Sequence, residues 1–527
     1  MSYTIVIGLE VHVQLLTESK LFCGCSTRFG APPNTQTCPV CIGLPGALPV
    51  MNRKAIELSL RTAAALNCAI PRFTKWDRKN YYYPDLPKGY QISQYDLPLS
   101  RDGWLEIRPA EQPGAAATPR RIGIIRAHLE EDAGKSMHDE AAGKADSRID
   151  LNRAGTPLLE IVSQPDLRSP AEAKAYLTEL KLLLNYLGVS DCNMQEGSLR
   201  VDANINLHIS GKGVRPHLCE APEGPFRQMG SDPFSGAAHK WGLTPFPGEG
   251  VIATPIVEVK NMNSFRAVER ALAYEAQRQF DEWRQTGHKL GDVPKATRGW
   301  DDAAQATYAQ RSKEESSDYR YFPDPDLAPV IVTEEDVARA RAALGELPAA
   351  LRTRLEQTYG ISPYDSDVLV NQGRALVAYY VAAADACGDG KAAANWVQQD
   401  VLRTLNDRNQ TIEAYPVAAE TLGQLIGRVR VGEFPTSRGR EVLAAMVDDG
   451  QSLDAAVAAL GIAAVGAADL EALCRELLAA NPKIAAEIKE GKLKGAGALI
   501  GQAKKKNPNV DPNQVRETCL RIAAETP

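Results

Sequence analysis

From Arg200 to Ile209 the chain alternates without a slip. Val201, Ala203, Ile205, Leu207 and Ile209 fall on one side, and Asp202, Asn204, Asn206 and His208 on the other. A period of two sends successive side chains to opposite faces, so this segment is a strand with one buried and one polar face. Leu9, Val11, Val13 and Leu15 against Glu10, His12 and Gln14 repeat the pattern, and Pro255–Asn261 sets Glu258 and Lys260 opposite Val257 and Val259. Strands of this kind build a largely antiparallel sheet with one uncovered face. Two helices accompany them. One starts at the capping box Ser169-Pro-Ala-Glu172 and runs to Gly188; the other follows Ser264 and runs amphipathically through Trp283 to Gly287. The expected fold is α+β, with a sheet cradle domain over residues 1–330.

Beyond residue 330 the chain turns Ala-rich with helical spacing, as in Glu334–Leu344, Ser366–Ala386 and Lys391–Leu405. This predicts an all-α helical domain over 331–413. A hinge-like stretch, Asn406–Glu420, leads into an all-α tail domain over 414–527. Residues 208–254, rich in Gly and Pro and without periodicity, read as a loop excursion. Three units suit 527 residues.

Lysine and arginine number 60 against 66 aspartates and glutamates, a net charge of −6 that excludes a globally basic nucleic-acid coat but not a local basic patch. No apolar run reaches the roughly 18 residues of a membrane span. The N-terminus shows neither a basic region nor a cleavage site. Ten cysteines without an export signal point to a reducing compartment, so the expected location is cytoplasmic.

Cys23-Gly-Cys25 and Cys38-Pro-Val-Cys41 lie close together in the sequence. Two Cys-bearing turns supply the four soft, deprotonated ligands of a tetrahedral zinc site, expected as a knuckle over 23–41; a buried or redox-active group of thiols is the alternative. Four protein ligands leave no open position, so such a zinc holds structure. The remaining cysteines read as core residues.

Glu10 and His12 share a strand face. Glu130-Glu131-Asp132, Asp202 and Glu258 add carboxylates beside strand ends. Such acids either pair with Arg126, Arg200 or Lys260, or gather around a divalent cation; oxygen donors with one imidazole suit Mg2+ or Mn2+. Asp77–Gln91 mixes cations, aromatics and turn formers. That composition fits a loop that stacks a base and touches phosphate through Lys79, Tyr81 and Lys88, and fits a packed surface loop equally. Asp318–Asp326 is similar, with Arg320 between aromatics. No P-loop occurs. Lys489, Lys492, Lys494, Lys504, Lys505 and Lys506 crowd the tail, as a solvated helix face or a phosphate-backbone contact.

Several segments together resemble one family. They are Ile7-Gly-Leu-Glu-Val-His-Val-Gln-Leu15, Lys79–Gln94, His128-Leu-Glu-Glu-Asp-Ala-Gly-Lys-Ser136, Asp150–Val162, Met194-Gln-Glu-Gly-Ser-Leu-Arg-Val-Asp202, Val259–Phe265 and Arg311–Pro323. The chain resembles the B subunits of the aspartyl/glutamyl-tRNA amidotransferases, of bacterial type, over essentially its whole length. The resemblance implies a ligase that uses ATP to phosphorylate the side-chain carboxylate of Glu-tRNA(Gln) or Asp-tRNA(Asn) and then amidates it. The ammonia comes from glutamine at a partner amidase (glutaminase) in a heterotrimer completed by a small third protein that wraps both. Carried onto this sequence, the Mg2+ ligands are Glu10, His12, Glu131, Asp202 and Glu258, with Glu130 inseparable from Glu131. Lys260 joins these as a catalytic residue, and Arg200 and Arg320 join Lys79, Tyr81 and Lys88 as ATP-binding residues. The family's tail binds aminoacylated tRNA; neither DNA nor a membrane is expected as a partner. The excursion 208–254 is longer than the family usually shows. A zinc-bearing RNA scaffold without chemistry is the competing reading.

Overall fold

The computed structural model describes residues 2–109, 118–138, 147–210, 251–310, 319–463, 465–489 and 496–525. These form two compact units, Met1–Leu347 and Pro348–Pro527. The first is built on a nine-stranded sheet. Its centre is the strand Ser2–Gln14, flanked antiparallel by Leu199–Ser210 on one side and Pro157–Ser163 on the other. Arg120–Glu131 and Ser100–Ile107 extend the second side. Val257–Lys260, Ala296–Asp301 and Ala306–Ala309 extend the first. The expected antiparallel character holds with one exception: Val257–Lys260 pairs parallel with Ala296–Asp301, reached through an intervening helix.

The alternation does what it predicts. Ile7, Leu9, Val11 and Val13 are fully buried, as are Ala203, Ile205, Leu159 and Ile161. This apolar face packs in one core with the helices Pro170–Tyr186 and Phe265–Thr286. Ser169 caps the first helix, accepting from the Glu172 N–H at 3.1 Å. The other half of the expected capping box is displaced: Glu172 accepts from the Arg168 N–H at 2.7 Å and from Arg120 at 2.6 Å. Ser264 caps the second helix, and Gly287, at φ +72°, ends it in the left-handed conformation that glycine adopts without strain.

The excursion's residues 211–250 lie outside the described residues. Its two ends pair with each other, Ser210 opposite Val251 and His208 opposite Ala253. They leave the sheet eight residues along the strand from Asp202, roughly 26 Å away.

The helical region begins inside the first unit. Glu334–Ala342 packs against the helix Arg53–Ala65, so that unit extends past the expected edge at residue 330. In the second unit the span 366–386, read as one helix, is two: Pro363–Asn371 and Arg374–Cys387, separated at Gly373 with φ +99°. The span 391–405 is interrupted by a π-helical turn at Val397–Val401. Ala419–Arg430 packs on Arg374–Cys387 across the expected boundary at 413/414. The last helices, Ala467–Ala480 through Pro512–Glu525, enclose a separate cluster around Cys474, Leu499, Val515 and Cys519. Cys68, Cys192, Cys387, Cys474 and Cys519 are buried, as core residues should be. No helix among the described residues is long and apolar enough to cross a membrane.

Candidate active site and cysteine cluster

The polar face of the sheet carries transverse rows of functional groups, set by strand register. In one row Arg200, His12, Glu160 and His128 lie directly across from one another on four adjacent strands. In the neighbouring row Asp202 faces Glu10. Glu130 reaches in diagonally: its Oε1 lies 3.6 Å from His12 Nε2, and Glu160 Oε2 lies 3.7 Å from the same nitrogen. One ligand atom from each of His12, Glu130 and Glu160 falls within 4.8 Å of the others, close enough to share one ion.

Of the two adjacent acids, the sheet brings Glu130 to His12 and turns Glu131 away. Glu131 shares the parity of Ala127 and Leu129, which lie on the core face. There it ion-pairs with Lys88, and its carbonyl accepts from the Gln91 side chain at 2.7 Å. Asp202 and Glu258 flank the cluster with Lys260 between them, its Nζ 2.6 Å from Asp202 and 3.5 Å from Glu258. Lys295 and Thr297 also hold Glu258. Glu10 accepts from Asn204 Nδ2 at 2.8 Å. Arg200 donates to Asp132 at 2.8 Å, and Asp132 is also held by Arg153 at 3.5 Å and Gln14 at 2.7 Å.

The hairpin Asp77–Asn80/Tyr90–Ser93 meets Phe322–Pro323, so the two aromatic segments singled out in the sequence join. The Lys79 ammonium lies 5.0 Å from the centre of the Tyr319 ring and 5.8 Å from that of Tyr81. Burial would lower its pKa, but Tyr321, Glu130 and Glu160 outweigh burial and hold it above the ordinary value. Tyr81 donates to Gln91 at 3.0 Å. Arg320 is the outlier: its side chain is exposed, and its contribution is a carbonyl accepting from Asn80 at 2.6 Å.

Glu160 was not among the sequence candidates, yet it stands between His12 and His128, 3.4 Å from the latter. Burial and the neighbouring Glu160 push Glu130 up to about 8. Burial would also raise Glu160, but His128, His12, Arg126 and Lys79 overcome it and hold the group down at about 2. Burial pushes His128 down to about 3, leaving it neutral. Burial and Glu160 raise Glu10 too. Burial is the main cause of the upward shifts, while Glu258, like Glu160, is held down against its burial by neighbouring cations. Two carboxylates and one imidazole converging on one point are the donor set a hard divalent cation takes. The residues therefore fit Mg2+.

Cys23, Cys25, Cys38 and Cys41 present four Sγ atoms within 4.8 Å of one another. The Cys38 N–H donates to Cys41 Sγ at 3.2 Å, and the Ile42 N–H to the Cys38 carbonyl at 3.2 Å, forming a tight turn. Gly43, at φ +72°, sits against Lys88; a Cβ there would come within 2.4 Å of Lys88 Cγ. Four sulfurs in this arrangement fit tetrahedral zinc. Of the tail lysines, 492 and 494 lie outside the described residues, whereas Lys504, Lys505 and Lys506 are exposed in the last turn of Ala496–Lys506.

Comparison with known proteins identifies the family. Residues 5–220 and 248–338 match the family described as the GatB/GatE catalytic domain, and residues 378–522 match the GatB domain. A Rhodopirellula baltica protein, named as the B subunit of aspartyl/glutamyl-tRNA(Asn/Gln) amidotransferase, is 56% identical over 522 residues, 99% of this chain and 97% of that protein. Proteins of the same name from Carboxydothermus hydrogenoformans and Thermosynechococcus vestitus are 42% and 44% identical over 99% and 96% of this chain, and over 99% and 93% of their own lengths. With both family domains matched and identity this high along the whole length, the chain belongs to the GatB family, the B subunits of the aspartyl/glutamyl-tRNA(Asn/Gln) amidotransferases.

Proposed function

We propose that the polar sheet face is where the side-chain carboxylate of Glu-tRNA(Gln) or Asp-tRNA(Asn) is activated by ATP and amidated. The observation that carries this is the convergence of His12, Glu130 and Glu160 on one point, ringed by Lys79, Arg200 and Lys260. A free carboxylate is a poor electrophile. Transfer of the ATP γ-phosphoryl group to its oxygen gives an acyl phosphate and ADP; ammonia then attacks the acyl carbon, loses a proton, and expels phosphate. Bound Mg2+ supplies charge neutralisation for the phosphoryl oxygens.

The chain's own residues do the rest. His12, Glu130 and Glu160 hold the cation, with Glu10, Asp202 and Glu258 as flanking acids. Lys260 keeps Asp202 and Glu258 in place and lends positive charge beside them. Lys79 and Arg200 bring cations toward the phosphates, with Tyr81 on the same loop as Lys79; Lys88, expected to join them, instead pairs with Glu131 away from His12 and supports that loop. Arg320, exposed as it is, is suited to the rim of the site. His128, neutral and buried behind Glu160, orients that carboxylate. The cysteine cluster takes a structural zinc. The ammonia comes from glutamine at the partner amidase, with the small third protein completing a heterotrimer in the cytoplasm. The exposed lysines of the tail, 414–527, contact the backbone of tRNA.

The test uses the chain co-purified with both partner proteins, supplied with Glu-tRNA(Gln), glutamine and Mg2+, with and without ATP. ATP-dependent Gln-tRNA(Gln) is the expected product. tRNA binding with no ATP turnover on either Glu-tRNA(Gln) or Asp-tRNA(Asn) would refute the reading in favour of a scaffold.

A further inference from the structure

The segment between the two cysteine pairs is not a free loop. Asn34, at φ +61°, donates its N–H to Asp150 Oδ1 at 3.1 Å and its side-chain amide to the Ile149 carbonyl at 3.0 Å, and accepts from the Leu151 N–H at 2.8 Å. The Gln36 N–H donates to Asn152 Oδ1 at 2.8 Å, and Asn152 Nδ2 donates back to the Pro32 and Ala31 carbonyls at 2.7 and 3.3 Å. Lys20, fully buried, ties the two together: its ammonium donates to the Gln36 carbonyl at 2.6 Å and the Leu151 carbonyl at 3.4 Å, 3.6 Å from Cys41 Sγ.

The clamped stretch leads straight to the site. Arg153 follows Asn152, donating to the carbonyls of Ala133 and Gly134 at 3.0 and 2.7 Å and facing Asp132 at 3.5 Å. The Gly155 N–H donates to the Asp132 carbonyl, and the Asp132 N–H to the Thr156 carbonyl, both at 2.9 Å. Asp132 holds Arg200, which stands across the sheet from His12. A second route is independent of the first: Gly43, two residues past Cys41, packs on the stem of Lys88, the partner of Glu131.

We propose that the metal-bound cysteine cluster is a positioning device for the phosphate-facing cation Arg200 of the active site, acting through Asn34 on the segment 149–153, with Gly43 bracing the Lys88–Glu131 pair beside it. This rests on the zinc and ATP readings above. Asn34 touches no reacting atom; it is a positioning residue. When the four thiolates close on a dication, residues 31–36 are fixed in length and direction, and the hydrogen bonds of Asn34 and Asn152 pass that order to Arg153, Asp132 and Arg200. Without the metal the same bonds join two loops that each lose order.

The test compares the wild type, Asn34→Gly and Cys38→Ser, each within the complete complex. Glycine keeps the left-handed backbone at position 34 and deletes only the side-chain link. Zinc content, deuterium uptake at 149–156, and KM and kcat for ATP are measured before and after chelation. Asn34→Gly is expected to keep zinc, raise uptake at 149–156, and raise KM for ATP about 2- to 30-fold with a smaller change in kcat. Chelation should loosen 149–156 in the wild type and loosen it less in Asn34→Gly, where only the Asn152, Lys20 and backbone bonds still join the two loops. Unchanged uptake and KM in Asn34→Gly, or chelation that weakens wild type and variant equally, would overturn the proposal. A wild type that holds no zinc and matches Cys38→Ser in every readout would refute the zinc reading and this inference with it; loosening of 149–156 in Asn34→Gly would then report the loop contact alone.

Discussion

Asp132 is heavily bonded beside the site, and its pair with Arg200 can be dissected. Its side chain is nearly inaccessible, accepts from Arg200, Gln14 and the Ala133 N–H, and ion-pairs with Arg153 at 3.5 Å. Burial would raise its pKa, but Arg200, Arg153 and Gln14 outweigh burial and depress it. Removing one member of a buried pair costs about 3–5 kcal/mol, because the other is left charged and desolvated. Two features lower that figure. Asparagine in Asp132→Asn keeps an acceptor oxygen, and the Arg200 side chain is 35% exposed, so water recovers part of its charge. About 2–3 kcal/mol is therefore expected for Asp132→Asn. About 2 kcal/mol is expected for Arg200→Met, where Asp132 retains Arg153 and Gln14. The two losses share one contact, so the double variant should fall short of their sum by about 1–2 kcal/mol. Urea unfolding followed by tryptophan fluorescence reads this cycle; Trp76, fully buried, reports on the same unit. Additivity within about 0.5 kcal/mol would refute the pair as the organising contact.

Lys260→Met leaves Asp202 and Glu258 side by side without their shared cation. We expect a loss of about 1–2 kcal/mol in chelator and a visibly smaller loss in Mg2+, measured by thermal unfolding in both buffers; an equal loss in both would count against a cation near these acids. Charge reversal of Lys504 and Lys505 should weaken tRNA binding and flatten its salt dependence, by about one unit of slope per lost phosphate contact, as read by filter binding across a salt series. Unchanged affinity and slope would remove the tail lysines from the RNA contact.

Much of the sheet was legible because alternation survives wherever one face is buried. Arg200–Ile209 and Leu9–Leu15 announced both their faces and the acids upon them. Parity also separates Glu130 from Glu131: Ala127 and Leu129 mark the core face, which leaves His128 and Glu130 on the other. Glu160 escaped because Pro157–Ser163 is buried on both faces and reads as a continuous apolar run with one acid in it. Only the register, His12 opposite Glu160 opposite His128, gives that acid a role. The parallel pairing of Val257–Lys260 with Ala296–Asp301 follows from chain topology, which periodicity does not encode. The break of the 366–386 helix was visible at Gly373, whose left-handed φ ends one helix and admits the next. The clamp by Asn34 had no local signal, since its partners lie more than a hundred residues away.

Which acid faces His12 decides how the site works. Glu130→Gln and Glu131→Gln should be compared in the complete complex by tRNA-dependent ADP release at saturating ATP across a Mg2+ series. Glu130→Gln should lose about 100-fold or more in rate, whereas Glu131→Gln, whose acid pairs with Lys88 away from His12, should stay within about tenfold of wild type. An intact Glu130→Gln beside an inactive Glu131→Gln would contradict the site as built here.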